Sequence, residues 1–249
     1  MRVGLLSVLL GGLLTTAANG QESGLLNRTV KVGAASYTYQ VYVPQSLRGK
    51  PNAPVILFLH GIGQRGAGGF LPADGVQGGM VRHYLEQVPA IVLLPQCRRG
   101  SYWSDAEMDR MVMGSLEQTV AELGADTQRL YLTGVSMGGY GAWHLASHHP
   151  EKFAALVSIC GGSPLSNGDR FAPIARKVGQ IPVWVFHGAA DKVVPVSESR
   201  QMVEALKAMK ANVRYSEYEG VGHNVWLKAL SEQELFPWML RQRRHEKQG

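Results

Sequence analysis

Cysteine and charge are both scarce in this sequence of 249 residues. It has two cysteines, and charged residues make up 18% of it, which excludes a small disulfide-stapled scaffold and a highly charged disordered chain. No apolar run reaches the roughly 20 residues that a membrane-spanning helix needs. The hydrophobic fraction of 45% predicts a globular protein with a full core, and the length suits one domain.

Motifs for metals, phosphates and nucleic acids are also missing. The sequence has no H-E-x-x-H, no Cys/His ligand cluster in its spacing, and no G-x-x-x-x-G-K-[ST] phosphate loop. The net charge is +6, but much of the excess lies in the C-terminal residues 241–247, where no aromatic side chains are interleaved. We therefore expect no metal, no cofactor and no nucleic-acid partner, and a solvated helix end explains the basic tail.

The first 20 residues are typical of an export signal. Met1-Arg2 precedes an apolar run over 3–14, and Ala18 and Gly20 flank an A-x-A-like cleavage site. The run is too short for a bilayer anchor. The sequence thus predicts a signal peptide over 1–20 and a single catalytic domain over 21–249, secreted or periplasmic, with no stable membrane association.

Strand and helix patterns alternate along the mature chain. A continuous apolar run such as 55–59 is typical of a strand buried on both faces. The alternation predicts an α/β fold with a mainly parallel sheet and helices on both faces. The predicted strands are 29–32, 37–43, 55–59, 90–94, 130–133, 154–160, 181–186 and 213–218, and the predicted helices include 79–87, 108–123 and 197–209.

A G-x-S-x-G motif joins one predicted strand to the helix that follows it. Its serine is Ser136, and Gly134 and Gly138 flank it. A turn this sharp leaves no room for Cβ atoms beside the serine, so glycine on both sides favours it. The pattern predicts a nucleophile elbow that holds the Ser136 hydroxyl at the edge of the sheet.

Two later loops bring an acid and a base to that edge. Asp191 and His223 each follow a predicted strand, and the carboxyl ends of parallel strands share one edge of a sheet. With Ser136 they complete the order Ser, Asp, His, which predicts a nucleophile, an orienting acid and a general base. Glu198 and Glu219 are alternative candidates for the acid.

Backbone amides complete the predicted site. The amides of Ile62 and Met137 are expected to form an oxyanion hole, because one lies in the loop after strand 55–59 and the other directly follows the serine. His60 and His187 are interpreted as residues that brace their loops.

Two tryptophans are candidates for binding substrate. Trp103 and Trp226 both lie in loops expected near the carboxyl edge of the sheet, where aromatic side chains can line a cleft. For each of them, packing against the domain is the alternative.

The two cysteines follow strands that are not neighbours in the expected sheet. About three strand spacings of roughly 4.8 Å separate Cys97 from Cys160, whereas a disulfide needs Cα atoms about 4.4–6.8 Å apart. This favours free buried thiols, although the loop at Cys97 leaves a disulfide open.

Taken together, these motifs resemble those of α/β-hydrolases. The chain is similar to small secreted esterases related to dienelactone hydrolases, prolyl-oligopeptidase catalytic domains and acyl-protein thioesterases. That resemblance implies a Ser-His-Asp mechanism without cofactor, acting on esters such as feruloyl or acetyl groups of plant polysaccharides, presented as small molecules or on a polymer. A prolyl-oligopeptidase-type serine peptidase and a polyester depolymerase are the alternatives. The motifs are LFLHGIG (57–63), LLPQCRRGSYWSD (93–105), LYLTGVSMGGYGAW (130–143), SICGG (158–162), VFHGAADKVVPV (185–196) and YEGVGHNVW (218–226).

The export signal is directly testable. Expression with the full N-terminus in a secreting host should release a mature chain that begins at Gln21, because cleavage follows the small residue Gly20. Intact-mass analysis of the culture medium or periplasm measures this. Exported material that still starts at Met1 would contradict the prediction.

Overall fold

The computed structural model describes residues 23–66, 83 and 87–244. The predicted signal peptide lies outside the described residues, as does most of the helix predicted at 79–87. Both stay predictions, and so does the domain boundary at residue 21.

Eight strands form one sheet, and most of them are parallel. Their spatial order is β1-β2-β4-β3-β5-β6-β7-β8, with β1 and β2 forming an antiparallel hairpin that also pairs antiparallel with β4. The remaining pairs are parallel, so the predicted fold class is confirmed. The strands are β1 Gly24–Val32, β2 Ala35–Val43, β3 Val55–Leu59, β4 Ile91–Pro95, β5 Leu130–Val135, β6 Ala155–Ile159, β7 Val183–Gly188 and β8 Val213–Tyr218.

The central strand β3 shows why continuous apolar runs form this sheet. Side chains alternate across a strand, so Val55, Leu57 and Leu59 enter one core while Ile56 and Phe58 enter the other. All five residues are buried. A strand in which every second residue is polar could not contribute apolar side chains to both cores.

Helices cover both faces, as the alternation predicts. Apolar residues of α1 to α4 pack in the core that contains Leu57, and those of α5 and α6 pack in the core that contains Phe58. None of the described helices has the length and apolarity needed to cross a membrane. The helices are α1 Ala106–Leu123, α2 Met137–His148, α3 Ala172–Val178, α4 Ser197–Ala208, α5 Trp226–Leu230 and α6 Leu235–Arg241, with 3₁₀ turns at Gln45–Leu47 and Ile62–Gln64.

One strand boundary differs from the prediction in a way that matters for the site. β7 continues through Gly188, because His187 and Gly188 stay in register with Glu217 and Tyr218 of β8. His187 is therefore a strand residue, although the sequence placed it in the following loop.

Both cysteines are free and buried. Cys97 follows β4 and Cys160 follows β6, and two strands, β3 and β5, lie between those two in the sheet. The interpretation as unpaired thiols is confirmed.

A partly buried carboxylate ties α1 to the helix after the elbow. Asp109 accepts hydrogen bonds from the Nε2 atoms of His144 and His149, each at 2.9 Å. Burial alone would raise the pKa of Asp109, but the two hydrogen bonds outweigh it and hold that pKa below the usual value. The ionised carboxylate therefore stabilises the fold.

Asp109→Asn should lower the free energy of unfolding by roughly 1.5–3 kcal/mol, the range for hydrogen bonds to a charged group. The lowered pKa means that this contribution is complete above the unfolded pKa of about 3.9. It is lost as the pH falls through the lower folded value, so the difference between variant and wild type should disappear only in acid. Urea unfolding across pH measures it.

Glu117→Gln is a matched control on the same helix. Glu117 is 66% exposed and lies 3.5 Å from Lys152, and such pairs contribute little, so the change should stay below about 1 kcal/mol. Equal effects of the two variants would contradict the role given to Asp109.

Candidate active site

Ser136 sits on a strained turn between β5 and α2. Its φ is 56° and its ψ is −118°, a conformation that non-glycine residues rarely adopt. A Cβ on Gly134 would lie 2.1 Å from the carbonyl oxygen of Gly138, and one on Gly138 would lie 2.0 Å from that of Leu59. Glycine is therefore required on both sides of the serine, as predicted, because main chain packs directly against main chain at these two positions.

A continuous line of hydrogen bonds joins the three predicted residues. The Nε2 atom of His223 lies 2.9 Å from Oγ of Ser136. The Nδ1 atom of the same ring lies 2.7 Å from Oδ2 of Asp191. The structure therefore brings an alcohol, an imidazole and a carboxylate together from the ends of β5, β8 and β7.

The side chain of Asp191 is fully buried, and both oxygens of its carboxylate accept hydrogen bonds. Its Oδ1 accepts hydrogen bonds from the amides of Val193 and Val194 at 2.8 and 3.0 Å. Burial raises the pKa of Asp191, but the hydrogen bonds from His223 and from these amides outweigh it, and the pKa lies below its usual value. Asp191 therefore stays ionised beside the imidazole.

His187 is a second histidine beside that carboxylate, which the sequence identified only as a brace. Its Nε2 lies 3.0 Å from the carbonyl oxygen of Val194 and 3.3 Å from Oδ2 of Asp191, while its Nδ1 contacts Oγ of Ser199 at 2.7 Å. Burial lowers the pKa of His187, so the ring is neutral and fixes the loop without competing for the proton.

Neither alternative acid takes the place of Asp191 at Nδ1 of His223. Glu198 forms a bidentate ion pair with Arg170 at 2.8 and 2.9 Å and also accepts from the amide of Ser163. Glu219 is exposed. Because Nδ1 of His223 contacts Asp191, the structure favours Asp191 over both.

The predicted oxyanion amides belong to the first residues of helical segments. Ile62 begins a 3₁₀ turn after β3, and Met137 begins α2. Amides at such positions have no partner within their own helix and can donate to a bound anion. Ile62 and Met137 both line a cavity that includes Ser136, so their use as an oxyanion hole stays a supported prediction.

His60 braces the loop that carries Ile62. Its Nδ1 contacts the carbonyl oxygen of Gly61 at 2.8 Å, and its Nε2 accepts from the amide of Cys97 at 3.1 Å. Burial lowers the pKa of His60 to about 4, so the ring is neutral and structural. Sequence reasoning missed Gln96, whose amide group also donates to Nε2 of His60.

The two tryptophans take different positions. Trp103 is 1% exposed and donates from Nε1 to the carbonyl oxygen of His60 at 3.0 Å, which favours the packing alternative over substrate binding. Trp226 is partly exposed and meets the ring of His223 edge-on, with centroids 6.0 Å apart. Trp226 thus keeps its place as a candidate for binding substrate.

Two cavities meet at Ser136. One has a volume of about 260 Å³ and is walled by Phe58, Val135 and Trp226 together with His223. The other, of about 450 Å³, shares Ile62 and Ser136 with the first. Its walls include Tyr102, Tyr140, Leu165, Arg170 and Val193.

Comparison with known proteins places this site in a family. A family model described as phospholipase/carboxylesterase matches residues 105–236, more than half of the chain. Acyl-protein thioesterase 1 of Gibberella zeae is 25% identical over 211 residues, which cover 73% of this chain and 88% of that protein. A bifunctional acetylxylan esterase/xylanase of Neocallimastix patriciarum is 27% identical over 157 residues, which cover 62% of this chain and 21% of that one. The crystal structure of a thermostable esterase matches with a TM-score of 0.76 and 34% identity over 88% of this chain and 63% of that chain.

The fold and these relatives define a serine carboxylesterase with the α/β-hydrolase architecture. The chain belongs to the phospholipase/carboxylesterase family, and the predicted resemblance is confirmed. It spans less than two thirds of the thermostable esterase and about a fifth of the acetylxylan esterase/xylanase.

The close packing at the elbow predicts that one added methyl group there strongly destabilises the protein. Gly138→Ala should destabilise the protein by about 3 kcal/mol or more, because the new Cβ would overlap the backbone of Leu59, which cannot move without breaking β3. Gly222→Ala is the control, since its Cβ would meet nothing closer than 4.0 Å. Thermal unfolding should separate the two variants clearly, and an equally small loss in both would contradict the close packing.

Proposed function

We propose that this chain is a secreted serine carboxylesterase that uses Ser136, His223 and Asp191 as its catalytic triad. The observation that carries the proposal is the unbroken hydrogen-bonded line from Oγ of Ser136 through His223 to Asp191. The family supports ester hydrolysis as the reaction. Export is supported by the pattern of residues 1–20 alone.

The geometry supports a two-step acyl transfer. Nε2 of His223 takes the proton of the Ser136 hydroxyl while Oγ bonds to the carbonyl carbon of the ester. The developing oxyanion faces the amides of Ile62 and Met137, and one such donor contributes about 2.7–4 kcal/mol to lowering a barrier of this kind. His223 then gives the proton to the departing alcohol.

Hydrolysis of the acyl-enzyme repeats these steps with water. Water loses a proton to His223, its oxygen bonds to the acyl carbon, and Ser136 leaves with that proton while the acid is released. Throughout, Asp191 holds the ring in the required tautomer and stabilises the imidazolium. The lowered pKa of Asp191 is what this role requires.

The shape of the site supports an extended or polymer-linked substrate. Two separate cavities border Ser136, so an ester held there can place its acyl and alcohol parts in different spaces. The aromatic wall at Trp226 favours an aromatic or sugar-linked group. Similarity to an acetylxylan esterase/xylanase supports acetyl esters of plant polysaccharides within this class, and feruloyl esters are the aromatic alternative.

Ser136→Ala should abolish hydrolysis of p-nitrophenyl acetate, and Asp191→Asn should lower kcat by roughly 10⁴ through the wrong imidazole tautomer. Stopped-time absorbance assays measure both. A fluorophosphonate should label the wild type and leave Ser136→Ala unlabelled. Turnover retained by Ser136→Ala would refute the assignment.

Activity measurements on a panel of substrates decide between the substrate classes. We expect turnover of acetylated xylan or methyl ferulate in addition to the short p-nitrophenyl ester. An aminoacyl-prolyl amide cleaved faster than any ester would support the peptidase alternative, and release of soluble acid from a polyester film would support the depolymerase. Trp226→Ala should raise KM for methyl ferulate more than for p-nitrophenyl acetate, because only the first substrate fills an aromatic wall.

A further inference from the structure

A fourth side chain, that of Cys160, lies next to the hydrogen-bonded line and has no part in the proposed chemistry. Cys160 follows β6 directly, and its Sγ lies 3.6 Å from the carbonyl oxygen of His223. Ligand atoms of Cys160, Asp191 and His223 all lie within 4.8 Å of one another. Over residues 23–66, 83 and 87–244, no other three His, Cys, Asp or Glu side chains meet that condition.

The three donors match a soft divalent cation. A thiolate sulfur, an imidazole nitrogen and a carboxylate oxygen are the ligand types that Zn²⁺ prefers, at about 2.0–2.3 Å. Donors around a tetrahedral ion of that size stand roughly 3–4 Å apart. Nδ1 of His223 and Oδ2 of Asp191 lie 2.7 Å apart, so these two donors must separate slightly to admit the ion. The ring of His223 is 21% exposed and belongs to a loop, which allows it to move outward.

Charge balance favours the loaded site. The side chains of Cys160 and Asp191 are buried, and a divalent cation neutralises the thiolate and the carboxylate while His223 binds as a neutral ligand. A buried site without net charge avoids the cost of isolated charges. On binding, the Cys160 thiol gives up its proton to solvent as the sulfur–metal bond forms.

We propose that Cys160, Asp191 and His223 form a binding site for a soft divalent cation such as Zn²⁺, and that occupation of this site inhibits the esterase. An imidazole that binds a metal through one nitrogen carries its proton on the other, so His223 can no longer accept the proton of Ser136. The cation also takes the carboxylate that orients the ring. The inhibition rests on the proposed function, whereas the binding itself does not.

Inhibition is measured with Zn²⁺ and Cd²⁺ on p-nitrophenyl acetate hydrolysis, each variant being compared with its own metal-free rate. We expect inhibition of the wild type that excess EDTA reverses. In Cys160→Ser the inhibition constant should rise at least about tenfold, because the sulfur ligand is lost. Cys97→Ser is the matched control. Its thiol is also free and buried, and this variant should keep the sensitivity of the wild type.

A second measurement does not depend on turnover. Cd²⁺ added to the wild type should produce the ultraviolet charge-transfer absorbance of a thiolate–cadmium bond, saturating at one Cd²⁺ per chain. Cys97→Ser should retain this band and Cys160→Ser should lose it. Asp191→Asn keeps the shape of the site and the thiol but removes one charge, so it should weaken Cd²⁺ binding. This variant replaces Cys160→Ser in the test if Cys160→Ser does not fold.

The outcomes separate the two proposals. A chain that shows the cadmium band but hydrolyses no ester refutes the proposed function and leaves the metal site standing. Ester turnover without the band, or without inhibition in the wild type, overturns the metal site. Equal inhibition of Cys160→Ser and wild type also overturns it, since the cation then binds elsewhere, as at the surface cluster of Asp109, His144 and His149.

Discussion

The direct packing of main chain on main chain at the elbow is the constraint on which the site depends. α2 approaches β3 so closely that position 138 has no space for a Cβ, and position 134 faces the same helix turn. This approach forces Ser136 to a positive φ and points its hydroxyl away from the sheet. Had a side chain stood at either glycine, α2 would pack further out and the serine would relax into an ordinary turn.

The second constraint is that the buried carboxylate of Asp191, which follows β7, must receive hydrogen bonds. An isolated ionised aspartate in the interior is costly, yet Asp191 has no exposed side-chain surface. The amides of Val193 and Val194 and the ring of His223 supply its hydrogen bonds. His187 reaches the same loop because β7 runs two residues further than the apolar pattern alone indicates.

Strong local patterns were readable from the sequence, and contacts between distant segments were not. The apolar run of β3 and the glycines of the elbow predicted both elements, because each reflects burial or sterics within a few residues. The helix α3 was missed since it has seven residues, too few for a clear period. The contact between His60 and Gln96 and the approach of Cys160 to His223 depend on which loops lie next to each other in the fold. Spacing along the chain reveals neither contact.

Three histidines lie at or just beyond the ends of β3, β7 and β8, and burial separates His60 and His187 from His223. His60 and His187 are 1% and 0% exposed, and burial lowers the pKa of each, so a proton placed on either ring would be expelled. A general base must instead be charged for part of each cycle. His223 fits the proposed role of base because its ring is partly open to the cleft and has a carboxylate behind it. The same openness, together with the thiol beneath the loop, is what makes the base accessible to a competing cation.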